Sequence, residues 1–277
     1  MPELPEVEHV TRSLNTLVKG RMIISAQLLR ERLAPDTTPI MFAQKVGSSV
    51  INFIHRRGKH ILFDLDNGRT LIVHLRMSGR FSLLSEDTAN PKFTHAVFQF
   101  VDDTRLVFDD QRHFGLMKVV ETQFLHEANE LAKLAPEPFS DDFSISYLRS
   151  SLSSSRRTIK EFLLDQTKVC GLGNIYASEA MFAAGVDPRT PAYKVTAAKA
   201  ARLHDSIRGV LSEAIEHSLR TNVDPQDLEG GYFDGAEDRG WLVYDREKQP
   251  CVNCKSPIVR LKQGGRSSYF CRRCQRR

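Results

Sequence analysis

Long apolar runs are missing from this sequence of 277 residues. No stretch stays apolar for the roughly 20 residues that cross a bilayer, and no basic-then-apolar leader opens the chain. Internal repeats and low-complexity tracts are also missing, which excludes a solenoid array. Apolar residues make up 41% and charged residues 26%, a balance that can fill a core. These features predict a soluble cytoplasmic protein with one large or two medium domains.

Acidic residues are missing from the last part of the chain. Residues 251–277 hold eight Lys and Arg and no Asp or Glu, so the +5 net charge of the protein is concentrated there. A basic segment of this kind suits a polyanion such as nucleic acid better than a small acidic metabolite. The alternative is a solvated tail that serves only solubility.

Cysteines are few outside the same segment. Four of the five form two CxxC knuckles sixteen residues apart, namely Cys251, Cys254, Cys271 and Cys274. This spacing predicts one Zn²⁺ held by four thiolates, a closed and therefore structural site. Two disulfides are the alternative, which a leaderless chain disfavours. The fifth cysteine, Cys170, is predicted to be a buried free thiol.

The hydrophobic pattern changes along the chain. Apolar residues recur at helical spacing over 5–19, and residues 22–120 read as strands, with turn signals at 66–68 and 102–104. From 141 to 220 the pattern is helical, and 222–240 reads as a mobile glycine-rich loop. The expected fold is α+β: an N-terminal helix with an antiparallel β-sandwich (1–132), a helical domain (133–240) and a zinc finger (241–277).

The chain begins MPELPEV. Two prolines and two glutamates before a helix are compatible with simple N-terminal punctuation. Removal of Met1, however, would leave Pro2 with a free secondary amine, whose pKa near 8 leaves a useful fraction unprotonated. Such an amine can attack a sugar carbon and form an iminium ion, a good electron sink. Glu3 beside it is a candidate general acid or base.

The run GLGNIYASE is the other distinctive motif. Gly171 and Gly173 interrupt the chain, and Asn174 is predicted to cap a helix starting at Ile175. A helix, a glycine turn and a second helix present free backbone N–H groups that suit a phosphate. An ordinary helical hairpin is the alternative.

MPELPEV, GLGNIYASE and the four-cysteine tail together resemble the formamidopyrimidine-DNA glycosylase and endonuclease VIII family, and the resemblance runs from end to end. Leu4 stands where endonuclease VIII typically has Gly, which favours the purine-directed branch. The resemblance implies a helix–two-turn–helix domain and catalytic roles for Pro2, Glu3, Lys59 and the finger-tip residue Arg266. It also implies DNA contacts for five residues, several of which would otherwise read as core or structural: His74, Met77, Arg112, Phe114 and Asn174.

The expected function is excision of oxidised purines such as 8-oxoguanine and formamidopyrimidines from double-stranded DNA, followed by β,δ-elimination through a Schiff base on Pro2. The expected protein is a monomer with no membrane partner. Two alternatives remain open: an endonuclease VIII-like glycosylase for oxidised pyrimidines, and a non-catalytic protein that binds damaged DNA.

Overall fold

A computed structural model describes residues 1–218 and 240–276. These residues form two compact units, the first built mainly of Met1–Ala132 and the second mainly of Lys133–Glu216 with the segment from 240 onward. The predicted loop over 222–240 lies outside the described residues except for Gly240.

The first unit opens with helix α1, Leu4–Val18. Glu3 is its N-cap and forms a capping box with Glu6, and Pro5 occupies the first turn, where it sacrifices no hydrogen bond. The helix ends before Gly20, whose φ of 79° suits glycine. The prediction of a helix over 5–19 is confirmed to within one residue at each end.

Eight antiparallel strands follow α1. They are β1 (Met22–Leu28), β2 (Ser49–Arg57), β3 (His60–Leu65), β4 (Arg69–His74), β5 (Gly79–Leu84), β6 (Thr94–Phe100), β7 (Arg105–Asp110) and β8 (Leu116–Glu121). Their order in the sheet is β5-β7-β6-β1-β2-β3-β4-β8. The β3–β4 and β6–β7 pairs confirm both predicted hairpins.

The sheet consists of two four-stranded halves that share one core. The two halves are joined along a short register, in which Met22 pairs with Val50 and Ile23 pairs with Ser49. Phe63 of β3 nevertheless packs on Phe81 of β5, with ring centroids 5.7 Å apart, although these strands are not neighbours in the sheet. The inner faces therefore oppose each other, which confirms the predicted sandwich; each fully buried Phe contributes about 1.5–3 kcal/mol to its stability.

The strand prediction over 22–120 missed one α-helix, α2 (Pro39–Val46). Thr38 caps it by accepting a 3.2 Å hydrogen bond from the Met41 N–H, and Pro39 takes the first position. Phe42 and Val46 are buried on its inner face. A cap followed by proline was a readable start signal, but eight residues are too few for a distinct helical periodicity.

The second unit is helical with a terminal hairpin. Its elements are α3 (Ile145–Ser153), α4 (Ile159–Leu164), α5 (Asn174–Ala183), α6 (Ala197–Ser218) and the two-stranded hairpin β9 (Val259–Gln263) and β10 (Arg266–Phe270). The helical prediction is confirmed over the described residues 141–218, and the four-cysteine segment forms a β-hairpin of its own, as the predicted α+β fold requires. Among the described residues, no helix combines the length and apolarity needed to cross a membrane.

Replacement of glycine by alanine is expected to change the free energy of unfolding in opposite directions at two positions. A Cβ at Gly79 would lie 2.6 Å from the Phe108 ring and 2.5 Å from the Leu75 carbonyl oxygen, whereas at Gly209, inside α6, it would meet nothing within 4 Å. We expect Gly79→Ala to lower the free energy of unfolding by about 1–3 kcal/mol through overpacking. Gly209→Ala should raise it by about 0.5–1 kcal/mol through helix propensity. Urea denaturation of both variants checks the pair, and equal shifts would contradict it.

Candidate functional site

The head of the chain is fixed by the first turn of α1. Pro2 is buried and Glu3 is 3% exposed, whereas Met1 is 36% exposed. The backbone N–H of Glu3 donates to the Glu6 carboxylate, which is also buried. Two carboxylates thus stand at the positive end of a helix dipole, next to the predicted nucleophile. With Met1 attached the Pro2 nitrogen is an amide, so any chemistry at this atom requires removal of Met1.

Lys59 lies in the turn between β2 and β3 and is only 5% exposed. Gly58 before it has a φ of 59°. Arg56 ties this turn to α1: its Nε lies 3.0 Å from the Glu8 carboxylate, and its Nη1 donates to the Gly58 carbonyl at 3.0 Å. The hairpin that carries Lys59 is therefore attached to the helix that carries Pro2 and Glu3.

His74 is buried in β4 and pairs across the strands with His60 of β3. Their rings meet edge to face at 4.6 Å. Nδ1 of His74 accepts a 3.0 Å hydrogen bond from the Arg76 N–H. Burial lowers the pKa of His74 well below its usual 6.5, and the nearby charges of His60, Arg76 and Lys59 lower it further. His74 is therefore a neutral imidazole at neutral pH.

Burial of the His60 imidazole makes the stability of the folded protein depend on pH. Burial lowers its pKa from 6.5 to about 4. Between these values the unfolded chain binds a proton that the folded chain does not, so the stabilisation is complete above pH 6.5 and is lost as the pH falls towards 4. We expect proton binding by His60 in the unfolded chain to lower the free energy of unfolding by about 2 kcal/mol between pH 8 and pH 5.

Urea denaturation at the two pH values, followed by circular dichroism, measures this loss. His60→Gln should reduce the loss by about 2 kcal/mol and leave the part that the buried His74 contributes, while His126→Gln, at an exposed position of the same unit, should leave the whole loss unchanged. A loss of the same size in His60→Gln would contradict the assignment to His60.

Met77, Arg112 and Phe114 come together on the surface of the first unit. Met77 is 39% exposed in the β4–β5 loop, and Phe114 is 51% exposed in the β7–β8 loop. The loops are neighbours because β5 pairs with β7, with Gly79 opposite Asp110. The Arg112 guanidinium lies 5.5 Å from the centre of the Phe114 ring. The three side chains form an exposed apolar and cationic cluster, and the core alternative is wrong for Met77 and Phe114.

Asn174 does not cap α5, contrary to the sequence prediction. It is the first helical residue, Gly173 is the N-cap, and no side-chain cap bond is present. The Oδ1 atom of Asn174 is buried and makes no hydrogen bond within the described residues. The motif thus places an amide side chain at the start of α5 with its oxygen facing inward.

Sequence reasoning missed Lys160, a fully buried lysine in α4. Its Nζ donates to the Asn174 carbonyl at 3.0 Å and to Ser178 Oγ at 2.7 Å. A buried ammonium beside the start of α5 adds to the positive end of that helix dipole. No sequence signal separates such a lysine from the solvated lysines that are common in helices.

Glu179 was also missed, although it belongs to GLGNIYASE. Its buried carboxylate accepts three backbone N–H bonds of 2.8–3.0 Å, from Leu242, Val243 and Tyr244. Burial raises the pKa of Glu179, and the three hydrogen bonds oppose that rise. Glu179 fastens the segment leading into the zinc finger onto α5.

The four-cysteine segment is built to hold a metal ion. All four Sγ atoms lie within 4.8 Å of one another, with Cys251–Cys274 at 3.9 Å and Cys254–Cys271 at 3.4 Å. These distances exclude disulfides, whose sulfur atoms lie about 2.05 Å apart. They fit tetrahedral Zn²⁺, for which Zn–S bonds of about 2.3 Å place sulfurs about 3.8 Å apart. One structural Zn²⁺ fits this site, and the set leaves no position for a reacting water.

Arg266 begins strand β10 at the tip of the finger hairpin. It pairs with Gln263 of β9, and Gly264 and Gly265 form the turn with φ of 53° and 78°. Its side chain is exposed. Glu161 of α4 approaches the tip, within 3.4 Å of a Cβ built on Gly264. Arg266 is thus an exposed cation at the tip of a short hairpin.

Three family models match this chain in succession. The formamidopyrimidine-DNA glycosylase N-terminal domain matches residues 1–117, the formamidopyrimidine-DNA glycosylase H2TH domain matches 134–224, and the zinc finger found in FPG and IleRS matches 248–277.

Curated relatives match over their full length. The formamidopyrimidine-DNA glycosylase of Desulforamulus reducens is 40% identical over 277 residues, covering 100% of this chain and 99% of the relative. That of Ruegeria pomeroyi is 40% identical over 291 residues, covering all of both chains.

Solved structures of similar fold contain DNA. The Lactococcus lactis Fpg in complex with N7-benzyl-Fapy-dG DNA is 33% identical, with a TM-score of 0.90 and full coverage of both chains. A second Lactococcus lactis Fpg complex, with abasic-site DNA, has a TM-score of 0.90 at 32% identity, covering 99% of this chain and 100% of that one. The three consecutive domain matches and the full-length relatives place this chain in the formamidopyrimidine-DNA glycosylase family of DNA-repair enzymes.

Proposed function

We propose that this protein removes oxidised purines, such as 8-oxoguanine and formamidopyrimidines, from double-stranded DNA and then cuts the strand at the abasic site. The observation that carries this proposal is the family match over all three segments of the chain. It acts as a cytoplasmic monomer, and its DNA partner is supported by the DNA-bound structures of the related Lactococcus lactis enzyme.

The chemistry begins at the amine of Pro2 after Met1 has been removed. The nitrogen attacks C1′ of the deoxyribose, and the bond from C1′ to the base breaks with its electron pair going to the base. The N–H proton of the amine neutralises the departing base. Glu3 gives a proton to the ring oxygen as the C1′–O4′ bond opens, which leaves an iminium ion between Pro2 and C1′.

The iminium then drives strand cleavage. It acidifies the C2′ hydrogen, which is lost as a proton while the 3′ phosphate leaves by β-elimination. The iminium is then conjugated with the new C2′–C3′ double bond, so the C4′ hydrogen becomes acidic in turn, and its loss as a proton expels the 5′ phosphate by δ-elimination. Water hydrolyses the remaining iminium and frees the amine of Pro2. The electron pairs end on the two phosphates, and no oxidant or reductant is required. Zn²⁺ when bound supplies only structural support to the finger, and takes no part in these steps.

The remaining residues hold the DNA. The flipped nucleotide must leave the stack before C1′ can be reached, and the cluster of Met77, Arg112 and Phe114 fills the space it vacates. Phe114 wedges the stack and Arg112 pairs with the orphaned base. Phosphates near the lesion are contacted by three cationic or polar side chains and by one imidazole: Lys59, Asn174, Arg266 and His74. The neutral state of His74 limits it to hydrogen bonding.

Single-turnover cleavage of three duplexes tests the substrate class. The duplexes carry 8-oxoguanine opposite C, thymine glycol opposite A, or no lesion. We expect 8-oxoguanine to be excised at least about tenfold faster than thymine glycol. Faster cleavage of thymine glycol would favour the pyrimidine-directed alternative. Binding of all lesions with no cleavage would favour a non-catalytic protein.

A further inference from the structure

Asp110, the last residue of β7, connects the two loops that carry Met77, Arg112 and Phe114. Its side chain is fully buried. One carboxylate oxygen accepts from Ser78 Oγ at 2.5 Å and from the Arg112 N–H at 3.2 Å. The other accepts from the Gly115 N–H at 2.7 Å. Ser78 directly follows Met77, and Gly115 directly follows Phe114, so each loop is held beside its exposed side chain.

Both loops contain a strained residue next to these contacts. Arg76 and His113 have φ of 58° and 60°, a backbone conformation that residues other than Gly rarely adopt. A residue keeps this unfavourable conformation only where several surrounding contacts hold it in place. His113 is held further by a 2.9 Å contact between its Nδ1 and Nε2 of His95. The loop shapes therefore depend on their anchors.

The backbone beneath the two loops packs so tightly that it has no room to shift. Gly79 and Gly115 both pack on the Phe108 ring so closely that a Cβ on either would lie within 2.8 Å of it. Ser78 Oγ also accepts a 3.0 Å hydrogen bond from the Arg112 N–H, which links the two loops directly. The hydroxyl of Ser78 and the carboxylate of Asp110 form one connected network.

We propose that Asp110, acting through Ser78, is a positioning residue that preforms the Met77–Arg112–Phe114 cluster for insertion into the DNA stack. The inference rests on the proposed function of that cluster. A buried carboxylate that accepts three hydrogen bonds is costly to disturb, so it fixes both loops before DNA arrives. Loss of the network slows insertion and lesion extrusion and leaves the sugar chemistry intact.

Stopped-flow fluorescence tests this inference with a duplex that carries 8-oxoguanine beside 2-aminopurine, which brightens when a side chain unstacks it. The variants are Asp110→Asn, Ser78→Ala, Ser78→Thr and Phe114→Ala. We expect Ser78→Ala and Asp110→Asn to slow the fluorescence rise about ten- to hundredfold, because each variant removes hydrogen bonds to a charged group. Ser78→Thr keeps the hydroxyl and should restore a rate near that of the parent.

Two controls separate positioning from general damage. Ser85→Ala removes a hydroxyl contact with Thr88 at the opposite end of β5 and should leave the rate unchanged. A preformed abasic site opposite a one-nucleotide gap needs no stack insertion, so its cleavage rate should stay within about twofold of the parent in Ser78→Ala.

The outcomes distinguish this inference from the function on which it rests. A parental fluorescence rate in Ser78→Ala and Asp110→Asn, with Phe114→Ala slow, overturns the role of Asp110 and leaves the insertion role standing. A parental rate in Phe114→Ala overturns the insertion role and this inference with it. If Asp110→Asn does not fold, the Ser78→Ala and Ser78→Thr pair decides the question.

Discussion

Keeping Met1 on the chain is expected to reduce excision and strand cleavage by about a thousandfold or more, the scale on which loss of a nucleophile acts. An amide nitrogen donates its lone pair to the adjacent carbonyl, so Pro2 behind Met1 can neither attack C1′ nor form an iminium.

Two preparations released from one fusion protein measure this effect, one beginning at Met1 and the other at Pro2. Intact mass verifies each start, and borohydride traps any Schiff base with DNA containing 8-oxoguanine. The preparation that begins at Pro2 should give a covalent complex at its first residue. Pro5→Ala, a change in the first turn of α1 that leaves the amine alone, serves as the matched control and should trap like the parent.

Binding separates a defect in chemistry from a defect in folding. Both preparations should bind a duplex with a tetrahydrofuran abasic analogue with affinities within about fivefold, because the phosphate contacts do not involve the amine. Equal trapping by the two preparations would assign the Schiff base to another amine, and Lys59, a buried lysine of the same unit, would be the next to test.

The features that were predicted correctly are those whose signals are local in sequence. Helix α1 follows from apolar spacing and an N-terminal proline, and the β3–β4 and β6–β7 hairpins follow from turn residues between apolar runs. The zinc tetrad follows from two CxxC spacings, because each knuckle brings its own pair of sulfurs together.

The features that were missed depend on contacts between distant segments. Asp110 reads as one of two acidic residues that end a strand, and only the pairing of β5 with β7 brings Ser78 to it. Lys160 and Glu179 lie in helices where lysine and glutamate are ordinary, and their partners are distant in sequence. The cap assigned to Asn174 failed because Gly173 takes the extended backbone that the cap requires.

Replacement of one zinc ligand is the second change expected to have a large effect. Cys254→Ser should lower the zinc content from one ion per chain towards none and unfold the finger, because structural zinc supplies much of the folding free energy of such small segments. The first unit should keep its own fold, since its core contains no residue of the finger. Elemental analysis and circular dichroism measure these two expectations.

The DNA-binding consequence follows from charge. Residues 251–277 of the finger carry Arg266 and seven further Lys and Arg, with no Asp or Glu, and an unfolded segment cannot hold these cations against successive phosphates. We expect the affinity for lesion-containing duplex to fall by at least about a hundredfold, and the slope of log affinity against log salt to become shallower by about 1 for each phosphate that the finger no longer neutralises.

Cys170→Ala is the matched control, because Cys170 is a buried cysteine outside the tetrad. This variant should retain zinc and the parental slope. If zinc-free Cys254→Ser kept the affinity and the salt slope of the parent, the finger would not bind DNA. The alternative, that the basic tail is a solvated segment that serves only solubility, would then be favoured.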